Sequence, residues 1–362
     1  MDIKTVLGIF GGMFSIGAVT FPLTFLIKRY AARLGIMAVP YAQTGTRISL
    51  WGGVPFMAVA AILAPLFFPL TFGQSLVLFL GIVSIILFGM LDDIVGLSPA
   101  PQFLAQVTIA AVFISATVPH PFLGDITGTS TLALVGALAG SWNASLLPLV
   151  WGIFLLLIFF VAFMNAFNWI DGLDGLAASV SIIPLFSVGG FFIAQGLTSA
   201  GFLSLFFGAA ILGFLLLNFP PARVYMGTAG SMGLGLFLAF TAAYEGAFLF
   251  FIAACALPLG DAILVTFQRI CAGQSPFQGG DRRHLHYRLS DLGWGSKKIM
   301  LLYVLIGVVF SLGAIISALY DLALFGAVLS LLVLTGISFA ACTMQKIQYQ
   351  TLRAENISKL NG

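Results

Sequence analysis

The chain has 362 residues, of which 60% are hydrophobic and only 7% charged, where an average soluble domain carries about 25% charged residues. A soluble fold of this length would be left with a greasy surface, and the abundance of apolar residues, 36 Phe among them, equally excludes disorder. At roughly 20 residues per crossing, the composition predicts an all-α polytopic membrane bundle of about eleven transmembrane helices, one integral membrane domain over 1–362; the long unbroken apolar runs do not have the short alternation of a membrane β-barrel.

Taken in chain order, apolar runs predict helices near 5–27, 48–70, 75–91, 102–118, 146–164, 172–194, 200–217, 230–244, 246–267, 298–319 and 321–343. The first run is long enough to span and is followed by Lys28, Arg29 and Arg33, a stop-transfer pattern and not a signal-peptide cleavage site. With the N-terminus outside, all but Lys4 of the 15 lysines and arginines fall on the inner side, in loops and in a cytoplasmic C-terminal tail, as the positive-inside rule requires. Segment 119–145, rich in Gly, Thr and Ser, is the long outer connection and reads as a surface loop with room for a small hairpin. The scattered Cys255, Cys271 and Cys342 form no disulfide framework or metal spacing, and each reads as a small buried apolar residue.

The unusual residues gather on the inner side. Asp92 and Asp93 end the third predicted helix; adjacent carboxylates in hydrocarbon cost several kcal/mol and need a reason to be there. Asn165, Asn168, Asp171 and Asp174 recur every third residue, which on a helix lines one face with hard oxygen donors suited to Mg²⁺ or Mn²⁺. Arg223, Tyr225 and the small residues Gly227, Thr228, Ala229, Gly230 and Ser231 open a later helix, whose free N–H groups favour phosphate. The longest inner loop carries Asp281, Arg282, Arg283, His284, His286 and Arg288, a cationic patch whose guanidinium forks match phosphate oxygens. An oxygen cluster for a divalent metal beside a cationic cluster for phosphates is what phosphoryl transfer needs, and a lipid is the expected co-substrate of a site that opens at the membrane surface.

These stretches, with Asn218-Phe-Pro-Pro-Ala-Arg223-Val-Tyr225 and Leu257-Pro-Leu-Gly-Asp261, stand in one order over about 85–290. In this the chain resembles the polyprenyl-phosphate N-acetylhexosamine-1-phosphate transferases, the superfamily that includes phospho-MurNAc-pentapeptide translocase. The Arg283-His284-Leu285-His286 segment is similar to the GlcNAc-type branch that initiates O-antigen, common-antigen or teichoic-acid synthesis. The resemblance implies transfer of a HexNAc-1-phosphate from a UDP-sugar to polyprenyl (undecaprenyl) phosphate with release of UMP, at the cytoplasmic face of a bacterial inner membrane. It implies Asp92, Asp93, Asp171, His284 and His286 as catalytic, and Asn168, Asp171 and position 228 as ligands of Mg²⁺ (or Mn²⁺). Asp174 and Tyr225 would hold the uridine, and Asp281, Arg282, Arg283 and Arg288 the diphosphate and sugar; a homodimer is implied and nucleic acid is not a partner.

The chain departs from the family pattern at two site positions: Thr228 stands where the family has Asp, and Gln102 where it has a basic residue. One anionic ligand fewer predicts weaker metal binding and slower transfer, with Thr228→Asp raising both. Two other classes compete: a relative that binds lipid phosphate or nucleotide without catalysis, and a secondary transporter. The latter would show internal repeats and midplane charges, which the sequence lacks.

Overall fold

The computed structural model describes residues 3–38, 47–117, 146–276, 281–322, 324–330, 332–338 and 343. It is a bundle of helices in this order: α1 Ile3–Arg33, α2 Val54–Phe67, α3 Phe72–Val95, α4 Pro99–Thr117, α5 Leu146–Ile170, α6 Leu176–Ala194, α7 Thr198–Asn218, α8 Gly227–Tyr244, α9 Phe248–Ala254, α10 Ala256–Cys271, α11 Leu285–Asp291 and α12 Ser296–Leu319. A last apolar helix, α13, runs over Leu324–Ser338. Between α1 and α2, β1 (Met37–Ala38) pairs antiparallel with β2 (Ile48–Ser49).

Among the described residues, six helices are long and apolar enough to cross a membrane: α1, α3, α5, α6, α7 and α12. The chain is a multi-pass helical membrane protein, and six of the eleven predicted crossings reach full-span length and hydropathy among the described residues. α2, α4 and α13 are shorter apolar helices. α2 has 14 residues, about 21 Å at 1.5 Å per residue. Its predicted start near 48 is overridden because Ile48 and Ser49 are in strand and Trp51-Gly52-Gly53 forms a tight turn before Pro55, which sits in the first helical turn where a missing N–H does no harm. The helix predicted over 246–267 is two helices, α9 and α10, bent by 81° at Cys255. Pro258 has no N–H to continue the α9 ladder, but is tolerated in the first turn of α10. The loop or small hairpin expected at 119–145 lies outside the described residues, as do Cys342 and the three cations of the C-terminal tail. Cys255 is buried as expected, whereas Cys271 is exposed at the end of α10.

The core is built around α8. Every residue from Ala229 to Ala243 is buried, the all-round burial of a central helix, and α8 packs on α3, α5, α2 and α4. Its small residues permit this. A Cβ on Gly235 would lie 2.3 Å from the Phe163 carbonyl oxygen, and one on Gly89 of α3 would lie 2.1 Å from the Ala229 nitrogen. Close backbone approach brings the end of α3, the end of α5 and the start of α8 together.

Candidate active site

α3 opens with a capping box between Thr71 and Gln74 and ends at Gly96, whose left-handed φ of 65° lets its N–H close on the Asp92 carbonyl at 2.7 Å. That termination fixes Asp92 and Asp93 on the last turn. Asp92 is buried and fully engaged. Its Oδ1 accepts from the Leu97 N–H (3.1 Å) and the Gln102 amide (2.9 Å), and its Oδ2 from the Thr228 hydroxyl (2.9 Å). Asp93 Oδ1 accepts the Thr228 N–H at 2.9 Å. It thus caps α8 from another helix, where the free N–H groups and dipole favour an anion. Asp93 Oδ2 is buried with no hydrogen-bond partner among the described residues, and it lies 2.4 Å from where a Cβ on Gly227 (φ 74°) would sit.

α5 ends at Ile170, so the three-residue polar spacing divides between a helix and the turn beyond it. Asn165 does not join the cluster; its amide is paired reciprocally with Gln106 of α4 at 2.7 and 3.2 Å. Asn168 donates to Ser231 of α8 at 2.9 Å, which leaves its carbonyl oxygen unused among the described residues. Asp171 also has no hydrogen-bond partner among them; withdrawal from water, then the charges of Asp93 and Asp174, hold its carboxyl well above the usual carboxylate range. Asp174 Oδ2 accepts the Ala222 N–H at 3.0 Å. Asn218 ties the same loop down, accepting from Gly175 N–H at 3.1 Å and donating to the Val224 carbonyl at 2.9 Å. Tyr225, half-buried near Asp174 and Asp171, has its phenol pushed up to about 12 by burial first and then by those charges, so it stays neutral. Its segment is bound to the first loop by hydrogen bonds from Tyr225 N–H to Ser49 and from Gly52 and Gly53 N–H to Tyr225 and Met226.

The loop leading into α11 packs on the Asp171 turn. A Cβ on Gly172 would stand 2.5 Å from His286 Nε2 and from the Tyr287 hydroxyl. His284 donates from Nδ1 to Asp261 Oδ2 at 2.7 Å, while Asp261 Oδ1 accepts the Leu285 N–H at 2.8 Å. His286, stacked on His284, is fully buried, and neither ring nitrogen has a hydrogen-bond partner among the described residues. Burial depresses its pKa to about 4, with His284 adding to the effect against the opposing charge of Asp261. His286 is therefore a neutral imidazole, not one of the cations of the patch.

The arginines also differ from one another. Arg282 pairs with Asp291, and Arg288 is bound to the Arg283 carbonyl and to Gln268. Asp281 is held by Arg269 at 2.9 Å and by the N–H of Arg283. Its burial would raise the carboxyl, but those bonds and both guanidinium charges hold it below the ordinary range. Arg283 keeps a buried Nη1 with no hydrogen bond among the described residues. Sequence reasoning passed over Arg269 and gave Asp261 no role. Arg269, 1% exposed, spans Asp281, the Pro276 carbonyl (2.8 Å) and the face of Trp169 (4.9 Å). A charge within an otherwise apolar helix was the available signal for both.

Among the described residues, no group of three or more His, Cys, Asp or Glu side chains is set to hold a metal ion by itself. Mg²⁺ keeps water and takes one or two carboxylates together with substrate phosphate, so it does not require such a group. The donor set fits such an ion: Asp93 Oδ2, the Asn168 carbonyl oxygen and Asp171 are hard oxygens for which no hydrogen-bond donor is found among the described residues.

Among the described residues, Asp93 Oδ2, Arg283 Nη1 and both His286 ring nitrogens are buried without hydrogen-bond partners, a set of groups whose chemistry suits a phosphoryl-transfer class of site. Residues 75–245 match the model of glycosyl transferase family 4. Over 316 residues, 84% of either chain, the protein is 31% identical to a probable undecaprenyl-phosphate N-acetylglucosaminyl 1-phosphate transferase of Bacillus subtilis (strain 168). It is 32% identical over 278 residues, 69% of this chain and 66% of the relative, to a decaprenyl-phosphate N-acetylglucosaminephosphotransferase of Mycobacterium leprae (strain TN). An undecaprenyl-phosphate alpha-N-acetylglucosaminyl 1-phosphate transferase of Escherichia coli (strain K12) is 27% identical over 301 residues, 78% of this chain and 76% of that one. The chain belongs to this family of polyprenyl-phosphate N-acetylglucosamine-1-phosphate transferases, and is an enzyme of that kind.

Proposed function

We propose that the protein transfers GlcNAc-1-phosphate from UDP-GlcNAc to a polyprenyl phosphate at the cytoplasmic face of a bacterial inner membrane. An oxygen of the lipid phosphate attacks the β-phosphorus of the donor. A new P–O bond forms, the bond to the α-phosphate oxygen breaks, and UMP leaves, giving polyprenyl-diphosphate-GlcNAc. The observation that carries the reading is Asp93 Oδ2, a buried carboxylate oxygen without a partner at the N-terminus of α8. Mg²⁺, when bound, would neutralise charge on the transferring phosphoryl group; Asp93, Asn168 and Asp171 would hold it.

The chain's own residues do the rest. Neutral Tyr225 offers a flat ring and a hydroxyl to the uracil, beside Asp174, which holds the 218–224 loop in place. Arg283 offers its spare Nη1 to the diphosphate. His284, fixed by Asp261, aligns the stacked, neutral His286 under Gly172, where it accepts or donates a hydrogen bond without adding charge. We also read eleven crossings, counting the six long spans, the bent pair as one, the three shorter apolar helices and α8. The N-terminus is then outside and the basic loops inside, supported by the distribution of Lys and Arg.

Purified protein given radiolabelled UDP-GlcNAc and undecaprenyl phosphate should yield labelled lipid and UMP in equal amounts. Tight nucleotide binding with no labelled lipid would instead mark a non-catalytic relative.

A further inference from the structure

Two neutral side chains meet on one buried carboxylate. The Thr228 hydroxyl donates to Asp92 Oδ2 and the Gln102 amide to Asp92 Oδ1, each at 2.9 Å. Gln102 also donates to the Leu97 carbonyl at 3.2 Å and so fastens the start of α4 to the end of α3. The Leu97 N–H completes the shell of Asp92, while the adjacent Asp93 keeps one oxygen bare. Two adjacent carboxylates are thus made unequal by their donors. Among the described residues, the hydrogen-bond donors to Asp92 are all uncharged. Thr228 and Gln102 meet Asp92 on its two different oxygens.

We propose that Thr228 and Gln102 are a coupled pair of positioning residues. Donating from opposite sides to Asp92, they make it the anchor that joins α3, α4 and the α8 N-terminus, and leave Asp93 Oδ2 as the oxygen of the pair presented to the reacting phosphates. The proposal rests on the reading of this site as the transferase centre. It reverses the expectation drawn from sequence that an Asp at 228 would simply add a metal ligand. A carboxylate replacing the Thr228 hydroxyl would sit against Asp92, and at such distances two like charges repel strongly when partly buried. A lysine at 102 would supply the missing countercharge. The two substitutions should therefore be harmful or weak singly and compatible together.

The test is a double-mutant cycle of Thr228→Asp and Gln102→Lys in purified protein. It is read twice: as the thermal midpoint in excess EDTA without substrates, and as kcat and KM with Mg²⁺. In EDTA, Thr228→Asp alone should lower the midpoint, and adding Gln102→Lys should recover at least half of the loss. In the transfer assay, Thr228→Asp should lose at least tenfold in kcat, with the double variant regaining at least tenfold over it. Thr228→Val and Thr228→Ser separate positioning from packing: the valine should lower kcat by about tenfold with the KM for UDP-GlcNAc within twofold, and the serine should recover most of that loss. The proposal is overturned if Gln102→Lys changes the midpoint and kcat by the same amounts whether 228 is Thr or Asp. It is equally overturned if Thr228→Asp alone equals or exceeds the parent. Should the parent itself transfer nothing, the reading of function fails, while the EDTA cycle still decides the coupling.

Discussion

Arg269 offers the sharpest test of how the cationic loop is held. Its guanidinium is 1% exposed, bonds Asp281 Oδ2 at 2.9 Å and the Pro276 carbonyl at 2.8 Å, and lies 4.9 Å over Trp169. Trp169 in turn touches His284 and stands between Asn168 and Asp171. Removing one member of a buried ion pair costs about 3–5 kcal/mol. Asp281 retains 14% exposure and the Arg283 N–H, so Arg269→Ala should fall near the lower limit, about 3 kcal/mol. Much of that should appear as local opening of the loop. The expected result is faster hydrogen exchange over 281–291 and a loss of tenfold or more in kcat/KM for the UDP-sugar. The KM for polyprenyl phosphate should change little. Arg269→Lys should recover only part, because a lysine cannot reach two acceptors as a planar fork. The pair should also shape acid stability. The Asp281 carboxyl is held below its ordinary value, so its stabilisation is complete above about pH 4 and lost as pH falls through the lowered value; Arg269→Ala should remove that lag. If Arg269→Ala exchanges like the parent and keeps kcat/KM within twofold, the clamp is not what orders the loop.

His286, with a pKa near 4 in the fold against about 6.5 unfolded, binds protons less well when folded. Stability should therefore be complete above pH 6.5 and decline as pH falls toward 4, by roughly 3 kcal/mol in all. His286→Gln should flatten that part of a plot of thermal midpoint against pH, and an unchanged slope would mean the imidazole is not buried neutral. For the divalent ion, transfer should vanish in excess EDTA and return with Mg²⁺. Asn168→Ala should raise the Mg²⁺ midpoint about tenfold or more, on the scale of one lost hydrogen-bonding ligand. Asn165→Ala, which removes the pair with Gln106 and the bond to the Val161 carbonyl, should lower the thermal midpoint and leave the Mg²⁺ midpoint in place.

Much of the helical plan was legible because lipid demands it: an apolar run of 20 residues has few folds open to it. The family was legible because Asn168, Asp171, Asp174 and the Arg-His-Leu-His loop carry polar chemistry that packing alone does not explain. Details that depend on one element meeting another were not. The polar spacing of three puts Asn165 and Asn168 on one helix face, and only their packing partners separate them, Gln106 for one and Ser231 for the other. Two histidines and three arginines looked like one cationic patch, but depth separates them: His286 is fully buried and neutral, Arg282 and Arg288 are bound within the loop, and Arg283 keeps a spare N–H. The break at Cys255 could have been read from Pro258, since a proline cannot continue a preceding helix. Chain composition has no term for the partner of Asp92, which is set by the distance between α3 and α8.

That distance gives a last prediction. Gly89 lies one turn before Asp93 on α3, and a Cβ there would stand 2.1 Å from the Ala229 nitrogen and 2.3 Å from its Cα. Both atoms are backbone, so no side-chain rotation relieves the clash, and α3 and α8 must move apart. Overpacking of this kind costs about 1–3 kcal/mol. The separation falls on the Thr228 N–H to Asp93 bond, 2.9 Å long, and on the Thr228 hydroxyl to Asp92. Gly81, on the same helix two turns further from the site, provides the control: its Cβ would meet the Phe113 ring at 2.5 Å, far from Asp93. Gly89→Ala and Gly81→Ala should lower the thermal midpoint comparably. Gly89→Ala alone should also cut kcat by at least tenfold, because it shifts the carboxylate that faces the phosphates. Equal losses of kcat in the two variants would show that helix spacing at Gly89 affects only the fold, and that the site tolerates a displaced Asp93.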